Sequence, residues 1–139
     1  MKLLCYFSFL MLASCGIKHS SVDYGKTSMS DLVSLRGEPS EEKRIPVEGG
    51  KIVHYEDNEK FQVKNEIVTH GFKDPKGDEK NLIFWKHKFK DCQTSNTRIS
   101  TPIGHELAEY EFKCPALGIT VIFSEGRDFI SRIVEHEKN

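Results

Sequence analysis

Two apolar periods alternate along the chain, and they decide what it can fold into. Met29, Leu32, Val33 and Leu35 recur at helical spacing, as do Leu82, Trp85 and Phe89 with Ile83 and Phe84 beside them. Elsewhere the period drops to that of a strand: Ile52-Val53-His54-Tyr55, Phe61-Gln62-Val63-Lys64, Ile67-Val68-Thr69-His70 and, most clearly, Ile119, Val121 and Phe123. A short helix with one apolar stripe is not stable alone, so each must lie on a sheet that offers its own apolar face. This predicts that Leu32, Val33, Leu82, Trp85 and Phe89 are buried against Val53, Tyr55, Phe61, Val63, Phe112, Val121, Phe123 and Ile133.

Local signals set the boundaries. Ser28 and Asp31 frame a helix start, and Gly37 with Pro39 supplies its stop, which predicts a helix over 29–36. Ser40 to Gly50 is charged, holds Pro46 and a Gly-Gly pair, and reads as a loop. Three short strands follow, turned at Asp57-Asn58 and Asn65. A polar stretch over 73–80 precedes a second helix over 79–90, with Asp78 as a cap, and Gln93 to Gly104 reads as a Ser/Thr-rich loop. Strands over 105–114, 118–125 and 128–137 complete the chain. The expected fold class is α+β: two helix-plus-three-stranded antiparallel meander units, 28–72 and 78–139, packed as one domain over 28–139. Tandem duplication and coincidence both account for such a plan, because a meander is a common solution for a short antiparallel sheet.

The first residues have a different character. Lys2 precedes an apolar run from Leu3 to Leu12 broken only by Ser8. About twenty apolar residues are needed to cross roughly 30 Å of hydrocarbon, whereas an export-signal core needs only about 7–15. Residues 1–14 therefore read as a cleaved signal peptide. Leu12-Ala13-Ser14-Cys15 resembles the bacterial lipobox, in which an aliphatic and two small residues precede a Cys. That resemblance implies diacylglycerol on the Cys15 thiol and a palmitate-type acyl group on the new amino terminus, and two or more chains anchor stably where one binds only marginally. Gly16, in place of an Asp, favours the outer membrane in the enteric sorting scheme. Polar residues 15–27 read as a tether, so the expected location is periplasm-facing on the outer membrane.

Of four cysteines, Cys5 leaves with the signal and Cys15 takes the lipid, so Cys92 and Cys114 remain. An even remainder in an oxidising compartment reads as a disulfide, and closing a loop of about 20 residues contributes roughly 3 kcal/mol in chain-entropy models.

Charge and motif exclude several functions. There are 20 Lys and Arg against 21 Asp and Glu, so no overall pull toward nucleic acid is expected. His105-Glu106-Leu107-Ala108-Glu109 begins like a zincin helix, but Glu109 stands where the second His is needed, and no metal is expected. His54, His70 and His136 approach one another if the strands pair as drawn. No nucleophile elbow or phosphate-binding Gly loop is present, so neither an enzyme nor a cofactor is expected. Lys86, His87, Lys88 and Lys90 form a basic stripe on the second helix, either a solvated face or a contact for anionic headgroups or peptidoglycan carboxylates.

The run Tyr24-Gly25-Lys26-Thr27-Ser28-Met29-Ser30-Asp31-Leu32-Val33-Ser34-Leu35-Arg36-Gly37-Glu38-Pro39, with Tyr55 and Phe61 after it, resembles the SmpA/OmlA (BamE-like) lipoprotein family over about residues 24–72. The resemblance implies a small lipoprotein held under the outer membrane, in a family some of whose members are accessory subunits of the machinery that inserts β-barrels. The expected function is therefore a non-enzymatic, lipid-anchored binding or scaffold protein of the cell envelope with an envelope protein as partner. A small periplasmic inhibitor or ligand carrier is the alternative, and a small envelope hydrolase ranks below it.

Overall fold

Ser28 turns the chain into its first helix, α1 (Met29–Arg36). Its hydroxyl accepts from the Asp31 amide at 3.1 Å and donates to the Asp31 carboxylate at 2.7 Å. Gly37, at φ 84°, ends the helix with its amide on the Val33 carbonyl. Strands β1 (Glu41–Arg44), β2 (Lys51–His54), β3 (Lys60–Lys64) and β4 (Ile67–Lys73) follow. Asp57, Asn58, Asn65 and Glu66 all have φ between 51° and 61°, the mirror-image turn geometry that suits the twist of paired strands. A 3-10 turn over Gly77–Lys80 then leads into α2 (Leu82–Lys88). Asn81, not Asp78, caps α2, accepting from the Ile83 amide at 2.9 Å. Strands β5 (Ser95–Ile99), β6 (Glu109–Cys114), β7 (Ile119–Ser124) and β8 (Ile130–His136) complete the order. The source of this geometry is a computed structural model, which describes residues 21–46, 49–99, 107–126 and 128–139.

All eight strands form one antiparallel sheet of order β1-β2-β3-β4-β8-β7-β6-β5. The two meanders meet at its centre, where His70 faces His136, Gly71 faces Glu135, Phe72 faces Val134 and Lys73 faces Ile133. The expected α+β arrangement of two helix-plus-three-stranded units is thus wrong. The fold is mostly β, a continuous sheet carrying two short helices. The strands that sequence reading missed, β1 and β5, are the two edges, and every residue in them except Ile99 is exposed. A strand that buries neither face has no need of apolar alternation, so periodicity is silent there.

Both helices lie on the same face. Leu32 and Met29 of α1 pack with Val53, Phe61, Val63 and Val68, and Val33 and Tyr55 close the margin. Leu82, Trp85 and Phe89 pack with Cys114, Val121, Ile130 and Ile133, flanked by Phe112 and Phe123. The core expected from the sequence is therefore found, with Val33, Tyr55, Phe112 and Phe123 half-buried at its edge. Under α2 the rings of Trp85 and Phe89 are 5.5 Å apart and those of Phe89 and Phe112 5.1 Å, and the indole N–H donates to the Glu79 carbonyl at 2.7 Å. Cys92 and Cys114 are disulfide-bonded with Cα atoms 5.6 Å apart, tying the chain after α2 to β6.

Candidate functional site

Side chains alternate across a strand, so the residues between the core positions project from the face that carries no helix. On β4 and β8 these are His70, Phe72, Val134 and His136, and on β7 they are Thr120 and Ile122, paired across to Val134 and Arg132. Gln62 extends the row on β3, and Glu111 and Lys113 extend it on β6. Together they line an open groove of about 940 Å³ that runs across the middle of the sheet.

The centre of the groove is ordered by hydrogen bonds. His136 contacts the Thr120 hydroxyl at 3.1 Å through Nε2 and the Glu137 carbonyl at 2.8 Å through Nδ1, so both ring nitrogens are engaged. His70 Nδ1 lies 3.1 Å from the Thr69 hydroxyl, and its ring is 6.4 Å from that of Phe72, stacked, and 6.4 Å from that of His136. Of the three histidines expected to converge, His70 and His136 are neighbours across the central strands. His54 shares the face but stands apart, 4.0 Å from Glu41 on the outer pair β1 and β2.

A second cluster sits on the helix face, in the seam between the two cores. The Tyr24 hydroxyl lies against Gly71 and donates to Glu135 at 3.0 Å, while Lys73 meets the other oxygen of that carboxylate at 2.7 Å. Burial, and then the charge of Glu135, push the Tyr24 phenol well above its usual pKa of 10.0. Burial alone would lower Lys73, but its hydrogen bond and attraction to Glu135 prevail and raise it. Nearby, Arg36 pairs with Glu59 at 2.9 Å at the mouth of a charged groove of about 910 Å³. Sequence reading placed Tyr24 in the expected tether and in the family motif and gave it no contact. Its partners Gly71 and Glu135 come from distant strands, and no local pattern announces them.

The predicted binding residues Lys86, His87, Lys88 and Lys90 are all exposed, on or just after the last turn of α2. They belong to the helix layer and are not brought to the open groove. The charges of Lys86 and Lys88 complement the helix dipole, and Lys88 Nζ lies 5.1 Å from the Trp85 ring centroid and 5.6 Å from that of Phe84. Cys15, His105 and Glu106 lie outside the described residues. Among the described residues no group of three or more His, Cys, Asp or Glu is placed to hold a metal, and no helix is long and apolar enough to cross a membrane.

No family model matches the chain, and neither does any curated protein. A solved structure, that of a DUF4309 family protein (YjgB) from Bacillus subtilis subsp. subtilis str. 168, is similar in fold, with a TM-score of 0.50 at 10% sequence identity over 87% of this chain and 84% of that one. At that identity the likeness shows a shared fold alone.

Proposed function

We propose that the chain is a non-enzymatic, lipid-anchored binding or scaffold module of the cell envelope that takes a protein partner on the open face of its sheet. The observation that carries this reading is the one-sided layering, with both helices packed on one face and a groove of about 940 Å³ left on the other. Eight strands spaced about 4.8 Å apart and some 20 Å long present a face of roughly 34 by 20 Å, close to the ~800 Å² that each side of a standard protein–protein interface buries. The face mixes Phe72 and Val134 with His70, His136, Arg132 and Glu111. Such a mixture of aromatic and aliphatic anchors with polar and Arg groups matches the make-up of recognition surfaces. The lipobox at Cys15 supports the membrane anchor, and the SmpA/OmlA-like run over 24–39 supports an accessory role in outer-membrane assembly.

Site-specific photo-crosslinkers in living cells test the surface. Probes at Phe72 and His136 should trap one discrete envelope protein, and a probe at His87 should not. Trapping from His87 alone would place the interface on the helix layer and refute the reading. The anchor is tested separately: Cys15→Ser should lose metabolic palmitate label and leave the membrane fraction. A variant that still partitions with membranes would remove the lipobox from the argument.

A further inference from the structure

We infer that two copies of this chain join edge to edge along β5, as an antiparallel strand pair about a two-fold axis that passes through the sheet at Thr97. The inference goes beyond the function proposed above and does not rest on it. Among the described residues no strand lies beyond β1 or β5, so each ends the sheet in a row of backbone groups. Register tells which groups these are. The Glu125 amide bonds the Ala108 carbonyl at 2.7 Å, in line with the pairing of Glu109 and Ser124, so Tyr110 and Phe112 turn their backbone groups toward β7. Glu109, Glu111 and Lys113 then turn theirs toward Ile99, Thr97 and Ser95, and the N–H and C=O of Asn96 and Arg98 point out of the sheet. On the other rim the Ile45 amide bonds the Gly50 carbonyl at 3.0 Å, in line with the pairing of Lys43 and Ile52, so Glu42 and Arg44 point outward there.

The two rims differ in what they admit. When a strand pairs antiparallel with its own copy, outward groups must meet outward groups, which leaves few registers. At β1, Glu42 on Glu42 or Arg44 on Arg44 sets like charges face to face, and Glu42 on Arg44 sets Lys43 against Lys43 of the second copy. Every residue of β1 is charged, and such a rim repels its copy. At β5 the register that overlaps the whole strand places Asn96 opposite Arg98 of the second copy and Thr97 opposite Thr97 on the axis. The Asn96 amide oxygen accepts from the guanidinium, facing threonines hydrogen-bond across a strand pair, and no like charges meet. Behind them Glu111 is held by Lys113 at 2.8 Å, and it stands three strand spacings, about 14 Å, from its equivalent, beyond the Debye length at physiological salt. The four residues from Ser95 to Arg98 are exposed. The strands exchange about four backbone hydrogen bonds, over far less area than the ~800 Å² that each side of a standard interface buries, so the dimer is weak and reversible. Its axis is normal to the sheet, so both helix layers face one way and both open grooves the other.

Thr97→Cys in the full chain tests the pairing. Facing residues on the axis have Cα atoms about 4.5 Å apart, inside the range of about 4.4–6.8 Å that a disulfide spans. Mild oxidation should link two copies through position 97 several-fold faster than through Lys43→Cys, an exposed site on β1, with the linked peptide identified by mass spectrometry. Ser95→Cys should link slowly, because its equivalents stand about 13 Å apart along the strands. Asn96→Pro removes an outward N–H and spares the ladder to β6, and in sedimentation velocity it should turn the concentration-dependent dimer of the native chain into a monomer. If that variant loses its melting transition, Thr97→Lys leaves the backbone in place, sets two cations on the axis and should give the same shift. Linking no faster through 97 than through 43, linking through 95 as fast as through 97, or a native chain that sediments as a monomer at every concentration overturns the inference.

Discussion

Gly71→Ala should couple the central sheet to the segment that enters the fold. A methyl group built on Gly71 would meet the hydroxyl of Tyr24, its Cζ at 2.9 Å and Cε1 at 3.1 Å, with buried strand backbone below and no room to yield. The ring must swing off the strand, which breaks the Tyr24 hydrogen bond to Glu135 and leaves the carboxylate with Lys73 alone. Overpacking of this kind costs about 1–3 kcal/mol, and a lost hydrogen bond to a charged group about 1.5–3 kcal/mol. The two overlap because the same ring movement causes both, so the expected loss is about 2–3 kcal/mol, or a fall of roughly 4 °C in melting temperature for each kcal/mol. Urea denaturation of Gly71→Ala, Tyr24→Ala and the double variant closes a mutant cycle. Once Tyr24 is Ala the obstruction is gone, and adding Gly71→Ala should cost less than about 0.5 kcal/mol, because Ala suits a strand better than Gly. Equal cost of Gly71→Ala in both backgrounds would show that the phenol does not rest on this strand and would refute the reasoning.

Three further outcomes are expected. Trp85→Ala should cost about 3–5 kcal/mol by urea denaturation, because the indole is buried between Phe89 and β7 and its N–H is satisfied by Glu79, whereas His87→Ala should stay within about 0.5 kcal/mol. Stability should fall as pH rises above 10, since the unfolded Tyr24 phenol ionises there while the folded one keeps its proton; Lys73, raised in the fold, loses its contribution over the same alkaline range, and Tyr24→Phe should flatten the slope in alkaline denaturation curves. Cys92→Ser/Cys114→Ser should lower stability by about 2–4 kcal/mol while keeping the far-ultraviolet spectrum, and no change on reduction of the native protein would count against a bond between them.

The residues that face the core were legible because burial writes a period into the sequence. Leu32, Leu82, Trp85 and Phe89 fall at helical spacing and Val121 and Ile133 on alternating positions, and all are buried. Helix α1 runs over Met29–Arg36 as its caps indicate, since Ser28 and Gly37 act through contacts within four residues. What could not be read were the features whose cause lies far along the chain. The edges β1 and β5 are held by backbone bonds to β2 and β6, and nothing in Glu41–Arg44 or Ser95–Ile99 marks them as strands. The central pairing of β4 with β8 joins residues 60 to 66 positions apart. The groove was equally hidden, although His70 and His136 were suspected as neighbours, because membership of a face depends on register, and a slip of one residue would turn every side chain over.

The same geometry explains why the helix face divides into two cores. A helix with its side chains is about 10 Å across, so two of them cover roughly 20 Å of a sheet about 34 Å wide. The remaining strip falls on β4 and β8, and a continuous apolar surface there would stand uncovered. The chain fills the strip with Gly71, Lys73 and Glu135, and lays the Tyr24 ring on Gly71, while Gly25 and Thr27 of the same segment pair with the backbone of Val68. Glycine at position 71 is what lets a ring approach the strand closely enough for its hydroxyl to reach Glu135. The segment that completes the fold is thus the one that closes the seam between the two cores, through a phenol that only a glycine at position 71 admits.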